Sequence, residues 1–429
     1  MIKHLKNNWL SLALAVVVII SLLLSWLVWT NPYQYKGVRR DNLMKSSQQY
    51  TTQSMGDVYL PTTIVRSDKH SKQYSLYSPE KSIVREMKES IRSWKLGRLS
   101  TVKKNNSDVY LSYLRLPNTI MLSYQNAIPT MVFNETFSQS VDSDQVSRID
   151  HILIPMNGRN EVYLLTDKNY TVSRLRISKG NINKIIKMQK DARKIPVEFK
   201  LVNGKTEMTY TKSFSLPTFA FQVTDMNIDT LSTNLLSSNH RSNISSAKSG
   251  NQVIYSNGNN RKMTYNKSDD TVNYSYVTPN SEKHSIESLY STFYNYLVKT
   301  GVQLNNVRFD GVDYSQHSLS YRTFVYGFPV FNEKGYSSIV MQYKNGSERI
   351  KMSRFSLQVP LPVDQDSVKL PSSSTVINQL RSSEHYKDIK RMRVGYLWKK
   401  SDDKNVVKLT PTYFVKYHGE WVNYEDLTK

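Results

Sequence analysis

Three short spacings in this chain could support acyl transfer at a serine. Ser100-Thr101-Val102-Lys103 is an S-x-x-K, Ser249-Gly250-Asn251 an S-x-N and Lys299-Thr300-Gly301 a K-T-G. They stand in the order used by penicillin-recognising serine enzymes. That chemistry needs the serine at the start of a buried hydrophobic helix that holds the lysine near its hydroxyl. It also needs the K-T-G on a strand. Here the polar run KKNNSD takes over at Lys103, and Ser249 lies in a Ser/Gly/Asn-rich turn. Lys299-Thr300-Gly301 reads as a helix C-terminus, where lysine complements the dipole and glycine caps. Ser78-Pro79-Glu80-Lys81 repeats the S-x-x-K spacing, which shows how readily it arises. The eight histidines (His4, His70, His151, His240, His284, His317, His385 and His418) contain no H-x-x-x-H pair, and there is no cysteine, so no metal site is expected. G-x-S-x-G, Walker A and G-x-G-x-x-G are absent. Asp402 and Asp403 read as solvated turn residues. No catalytic constellation is visible, and neither an enzyme nor a cofactor is expected.

Chemistry of a different kind is offered by WLSLALAVVVIISLLLSWLVW, Trp9 to Trp29, the only long apolar run in the chain. As a helix it rises roughly 30 Å, enough to cross a bilayer and about twice a signal-peptide apolar region. Trp9, Trp26 and Trp29 lie near its ends, where indole rings favour the membrane interface. The run exits without the small residues a signal peptidase needs, so it reads as a retained signal-anchor. Lys3, His4 and Lys6 precede it, while Lys36, Arg39, Arg40 and Lys45 follow, so flanking charge hardly sets orientation. The lack of a second span and of cysteine suits an exported exterior of a Gram-positive bacterium. The N-terminus is therefore expected in the cytoplasm and the bulk of the chain outside.

Across 429 residues, 58 Lys+Arg against 35 Asp+Glu give a net charge of +23. For an exported chain this excludes nucleic acid as the natural partner and leaves anionic lipid or wall polymer. Such a length calls for two or three domains. Strand-like stretches dominate, with 29 tyrosines and only 15 glycines. Helices are expected over SPEKSIVREMKESIRSW, stopped by Gly97, over NINKIIKMQKDARK before Pro196, from Asp225 to about Leu236, over HSIESLYSTFYNYLVKTG, and near Ser373. The expected divisions are a cytoplasmic tail (1–8), the anchor (9–29), a membrane-proximal linker (30–56) and three α+β domains at 57–196, 197–280 and 281–429. The exterior is thus α+β, antiparallel sheets with short packing helices. DTLSTNLLSSNH (Asp229 to His240) aligns with STVINQLRSSEH (Ser374 to His385), suggesting a duplicated unit in the last two domains, with His240 and His385 as matching polar contacts.

Four further phrases carry a resemblance: RIDHILIPMNGRNEVYLLTDKN, SYRTFVYGFPVF (Ser320 to Phe331), VKLPSSSTVINQL (Val368 to Leu380) and GYLWKKSDDKNVVKLTPTYFVKYHGEW (Gly395 to Trp421). With the anchor and the cysteine-free exterior, the chain resembles the YycH family of regulatory proteins. The resemblance implies a single-pass membrane protein with three α/β exterior domains, the last two similar to the partner YycI. It implies partnership with a YycI-like membrane protein and a WalK-type sensor histidine kinase governing cell-wall homeostasis. A helix working within the bilayer must then present a face to partner helices. Ser11, Ala15, Val18, Leu22 and Ser25 follow one path, and Ser21 with Ser25 forms a small-xxx-small pair. Small residues let backbones approach, and each hydroxyl bond across helices contributes about 0.6–2 kcal/mol. A module binding anionic wall polymers is the alternative reading.

Overall fold

The computed structural model describes residues 14, 17–22, 53–202, 204–237, 243–258, 260–278, 284–361, 366–400 and 405–428. The chain forms two compact units, 1–49 and 50–429. In the first, Leu14 and residues 17–22 are helical with exposed side chains. Among the described residues no helix is long and apolar enough to cross a membrane. Most of the expected anchor lies outside the described residues.

The second unit begins with a nine-stranded antiparallel sheet. Its strands are β1 (Thr63–Ser67), β2 (Gln73–Tyr77), β3 (Lys95–Lys103), β4 (Thr119–Pro129), β5 (Arg148–Pro155), β6 (Glu161–Thr166), β7 (Thr171–Lys179), β8 (Arg193–Val202) and β9 (Lys205–Tyr210). Their order is β3-β7-β6-β5-β4-β1-β2-β8-β9. The central strands are near-continuous apolar runs because both faces are covered. Ile64, Leu122, Ile152 and Leu164 stand in register on one face, and Val65, Met121, Leu153 and Tyr163 on the other. The first face packs on helices α1 (Met55–Val58), α2 (Ile83–Arg92) and, beyond α3 (Ser107–Leu114), on α4 (Thr130–Phe137). The second packs on α3 and on strands from the far end of the chain, including Tyr396, Leu409 and Tyr413. Burying each such side chain contributes about 1.5–3 kcal/mol. Helix α5 (Ile182–Met188) closes the edge beside α2.

The rest of the chain builds a two-stranded ribbon and a 14-stranded sheet. The ribbon pairs β10 (Phe214–Pro217) with a strand near the end of the chain. The larger sheet opens with β11 (Phe219–Asp225), which follows directly. Helix α6 (Ile228–Leu236) leads into the meander β12 (Ser245–Ser249), β13 (Gln252–Asn257), β14 (Arg261–Asn266) and β15 (Thr271–Val277). Helix α7 (Ile286–Thr300) precedes β16 (Val307–Asp313), β17 (Ser318–Val325), β18 (Phe328–Phe331), β19 (Ser338–Lys344), β20 (Ser347–Ser353) and β21 (Phe355–Leu361). The ribbon partner β22 (Ser367–Leu370), helix α8 (Ser373–Arg381) and strands β23 (Ile389–Lys400), β24 (Val406–Tyr417) and β25 (Glu420–Asn423) complete the chain. The two halves of the large sheet meet where β18 leaves its hairpin with β17 and runs parallel to β23.

Local expectations meet the structure unevenly. Gly301 caps α7 with φ +70°, as the K-T-G reading requires, and Ser249-Gly250-Asn251 is the β12–β13 turn. The helix expected to run to Gly97 ends at Arg92, and Gly97 lies inside β3. The helix expected to run to Lys194 ends at Met188, and Arg193 already begins β8. The first sheet therefore continues to Tyr210, past position 196. The pairing of β15 with β20 likewise crosses position 280. Helices α6 and α8, which carry the two aligned phrases, are capped and packed alike. Asn227 and Ser372 accept the backbone N–H of Thr230 and Thr375, and Leu231 and Leu235 are buried like Val376 and Leu380. His240 lies outside the described residues, whereas His385 Nδ1 meets the Tyr417 hydroxyl at 3.0 Å.

Candidate functional site

The partner-helix positions of the sequence reading divide between described and undescribed residues. Ser11, Ala15 and Ser25, with the interface residues Trp9, Trp26 and Trp29, lie outside the described residues. Val18, Ser21 and Leu22 are helical and exposed. In the second unit the structure adds a site no spacing had indicated. A cavity of about 730 Å³ opens between the first sheet and the junction of the large one.

Its origin is a break in the strand ladder. Strands β4 and β5 pair in regular register up to Ser123 and His151, then again at Ile128 and Ile149, and the extra residues of β4 bulge out between. A bulge of this kind re-aims side chains at the margin of a sheet. Opposite, the β17–β18 hairpin turns through Tyr326 and Gly327, both at positive φ, the geometry of a tight two-residue hairpin. A Cβ on Gly327 would approach the Thr62 carbonyl at 3.5 Å, so the hairpin tip faces the start of β1. Tyr326 occupies a conformation rare for an aromatic residue. Its ring packs on Phe219 at 4.8 Å between centroids.

One wall carries a buried polar network. His151 Nδ1 lies 2.8 Å from Ser123 Oγ, and Nε2 lies 2.8 Å from Thr206 Oγ1. Thr206 donates its hydroxyl to Asp167 Oδ2 at 2.7 Å and its backbone N–H to the same oxygen at 2.9 Å. The threonine hydroxyl can therefore only accept from the ring, which places a proton on Nε2, the nitrogen that also lies 3.3 Å from Asp167 Oδ1. Tyr110 donates to Asp167 Oδ1. Asp150 Oδ2 accepts the backbone N–H of Asp167 at 2.9 Å. Burial and the adjacent Asp167 charge push the Asp150 carboxyl up to about 7. Burial would raise Asp167 too, but hydrogen bonds from His151, Tyr110 and Thr206 hold it below the usual carboxylate range. Serine, histidine and aspartate, the residue types of an acyl-transfer triad, thus meet here in a different geometry. Ser123, 4% exposed, meets Nδ1 and Asp167 Oδ1 stands 3.3 Å from Nε2, the ring nitrogens exchanged relative to a triad, and Thr206 and Tyr110 also bond the carboxylate.

The opposite wall is cationic. Arg391 reaches the Gln125 carbonyl only at 3.4–3.5 Å, the outer limit of a hydrogen bond. No carboxylate lies within ion-pair distance of it among the described residues. Glu207 also lines the cavity, and burial raises its carboxyl against the pull of Arg391. Arg148 stacks over the Tyr314 ring at 4.1 Å. Behind this wall Asp310 joins the sheets, accepting from Arg322 Nε at 2.8 Å and from Arg393 Nη1 and Nη2 at 2.7 and 3.0 Å. The two guanidinium groups hold the Asp310 carboxyl far below its ordinary range despite burial. Arg393 also lies over Trp421 at 4.0 Å, and Asn126 donates to the Asp310 carbonyl at 3.0 Å, tying the β4 bulge to the joint.

These residues come from strands up to about 300 positions apart, from β4 to β25, which is why no local motif revealed them. One signal was present: Asp150-His151 interrupts the apolar run of β5. Of the motif residues, Ser100 and Lys103 lie on exposed stretches of β3, and among the described residues no group of His, Asp and Glu forms a metal site.

The architecture defines a class: an α+β protein of antiparallel sheets whose cavity is framed by a polar network and an arginine-rich joint. The profile of the YycH protein N-terminal domain matches residues 7–194, and that of the YycH protein C-terminal domain matches residues 208–428. The chain belongs to the YycH family, whose membership implies a regulatory role in the WalK/YycG system. Nine solved chains match in structure. One is the crystal structure of YycH from Bacillus subtilis, with a TM-score of 0.68 and 18% identity over 87% of this chain and 98% of that one. No curated protein matches in sequence.

Proposed function

We propose that this protein is a membrane-anchored, non-enzymatic regulator that biases a WalK-type sensor histidine kinase, acting with a YycI-like membrane partner. The observation that carries the reading is the match of both YycH domains over nearly the whole chain. The helix over 9–29 anchors the chain in the bilayer with its N-terminus in the cytoplasm, and Ser11, Ala15, Val18, Ser21, Leu22 and Ser25 face partner helices. The exterior divides into the nine-stranded sheet and the two halves of the large sheet, the latter a duplicated unit resembling the partner. A regulator of this kind works by binding one kinase state better than the other, so its effect equals its differential affinity. Deleting the chain and following the phosphorylated fraction of the kinase's response regulator in cells tests the reading. The expected result is a changed fraction, restored by the native chain and not by a chain carrying an unrelated anchor. An unchanged fraction on deletion overturns it.

The net charge of +23 supports a second reading, a module for anionic wall polymers. Binding of that kind is screened by salt, so retention on isolated wall material falls steeply as ionic strength rises. Retention that ignores salt removes this reading.

A further inference from the structure

Strand β3 ends the nine-stranded sheet and pairs only with β7. Neither strand contains an aspartate or a glutamate, while β3 carries Lys95, Arg98 and Lys103 and β7 carries Arg174, Arg176 and Lys179. Arg174 is half-buried and the other five are exposed. Among the described residues none of the six belongs to an ion pair. One carboxylate adjoins them: Glu161 on β6 stands opposite Arg176, but it accepts from the Tyr163 hydroxyl at 2.6 Å and lies 3.8 Å from Arg159. Lys95 and Lys179 are direct cross-strand partners, an opposition of like charges that costs stability. From Lys95 to Lys103 the strand runs roughly 26 Å, so the six cations form a double row of that length. Lysines on an outermost strand also keep a second strand from pairing there. Here three register shifts between β3 and β7 already break the regular ladder, so that protection does not account for six cations.

We propose that the exposed surface of β3 and β7 is a docking site for a flexible linear polymer that carries an anionic group on each repeat. The polymer lies along the strands, and its charges relieve the repulsion between Lys95 and Lys179. Other partners fit this surface less well. A folded protein would need apolar or aromatic anchors, and Val102 is the one large exposed apolar residue on the two strands. The same lack leaves nothing to insert into a lipid surface. Neither strand carries an aromatic residue on which a base could stack, which excludes single-stranded nucleic acid. An acidic peptide added as a further strand would need the regular backbone register that the shifts in β3 break. The proposal rests on the reading of the chain as a module for anionic polymers and gives that module a place.

The test uses the full chain in a neutral detergent and fluorescein-labelled polyphosphate, polygalacturonate and polyglutamate, with affinity read by anisotropy over a range of salt. The native chain binds polyphosphate, polygalacturonate or both, and which of them binds separates a phosphate polymer from a carboxylate one. Six contacts to a flexible polyanion give a slope of about −4 in log affinity against log salt. Lys95→Gln, Arg98→Gln, Arg176→Gln and Lys179→Gln together reduce that slope by about three and weaken binding at least about tenfold at low salt. Arg98→Gln with Lys179→Gln alone reduces the slope by about half as much. A control variant neutralises four exposed cations of the large sheet, Lys262→Gln, Lys344→Gln, Arg349→Gln and Lys351→Gln, and changes the slope by less than about one. Thermal melting checks the fold, and the β3–β7 variant melts no lower than the native chain because the Lys95–Lys179 repulsion is gone. Equal losses in the β3–β7 and control variants overturn the proposal and leave the polymer-binding reading standing on net charge. Binding of polyglutamate alone overturns it in favour of an acidic peptide. Absence of salt-dependent binding by the native chain removes both the proposal and the polymer-binding reading.

Discussion

Asp150 and Asp167 sit in one network and are shifted in opposite directions, so the pH dependence of stability separates them. The folded-state pKa of Asp150 is raised from 3.8 to about 7, so the native state keeps a proton that the unfolded chain releases. That contribution is full below about pH 4 and is lost as pH rises through 7. Asp167 is depressed, so its contribution is present above about pH 4 and lost only as pH falls below it. From about pH 4 to about pH 7 the Asp150 carboxyl therefore lowers stability as pH rises, with a slope approaching one proton, measurable by denaturant unfolding across that range. Asp150→Asn retains an acceptor for the Asp167 N–H and removes this titration, so the slope falls by up to about one proton relative to the native chain; an unchanged slope contradicts the assignment. At the arginine joint, Asp310→Ala leaves Arg322 and Arg393 buried without their carboxylate. The expected loss is about 3–5 kcal/mol by the same unfolding measurement. These residues were illegible in the sequence as a site, because their meaning depends on which strands lie beside them.

Elements were legible where local chemistry decides them. Helix α7 carries its cap at Ser285, a buried face of Leu289, Phe293 and Leu297, and glycine at its end, all visible as spacing and residue type. The overlong helices fail for a tertiary reason. The residues after Arg92 and Met188 keep helix-compatible character, yet β3 and β8 claim them through pairing with β7 and β2. The same cause hides the sheet boundaries, since β15 and β20 are joined by a ladder that no local signal announces. The parallel step from β18 to β23 depends on Gly395. A Cβ there would come within 2.6 Å of both the Pro329 carbonyl and a Phe331 ring carbon. Backbone cannot yield as a side chain does, so Gly395→Ala costs about 1–3 kcal/mol in equilibrium unfolding. An unchanged unfolding midpoint would show that the two halves of the sheet can separate without penalty.

At the scale of the whole molecule, fold class and family were legible because they rest on patterns spread over hundreds of residues. The α+β character follows from strand-like alternation with a few capped helices, and the family from phrases in both matched domains. The cavity was not legible, because it exists only where the first sheet meets the β17–β18 hairpin and β23. The central claim is that the chain contacts the kinase through its apolar N-terminal helix. The measurement that tests it most directly is co-purification of the kinase from detergent-solubilised membranes, with the native anchor and with Ser11, Ala15, Ser21 and Ser25 all changed to leucine. Small residues permit close helix approach, so leucine at these four positions separates the backbones while keeping the segment apolar. The account predicts capture of the kinase by the native chain and its loss with the leucine anchor. Equal capture by both contradicts the helix contact, and no capture by either contradicts the regulator itself.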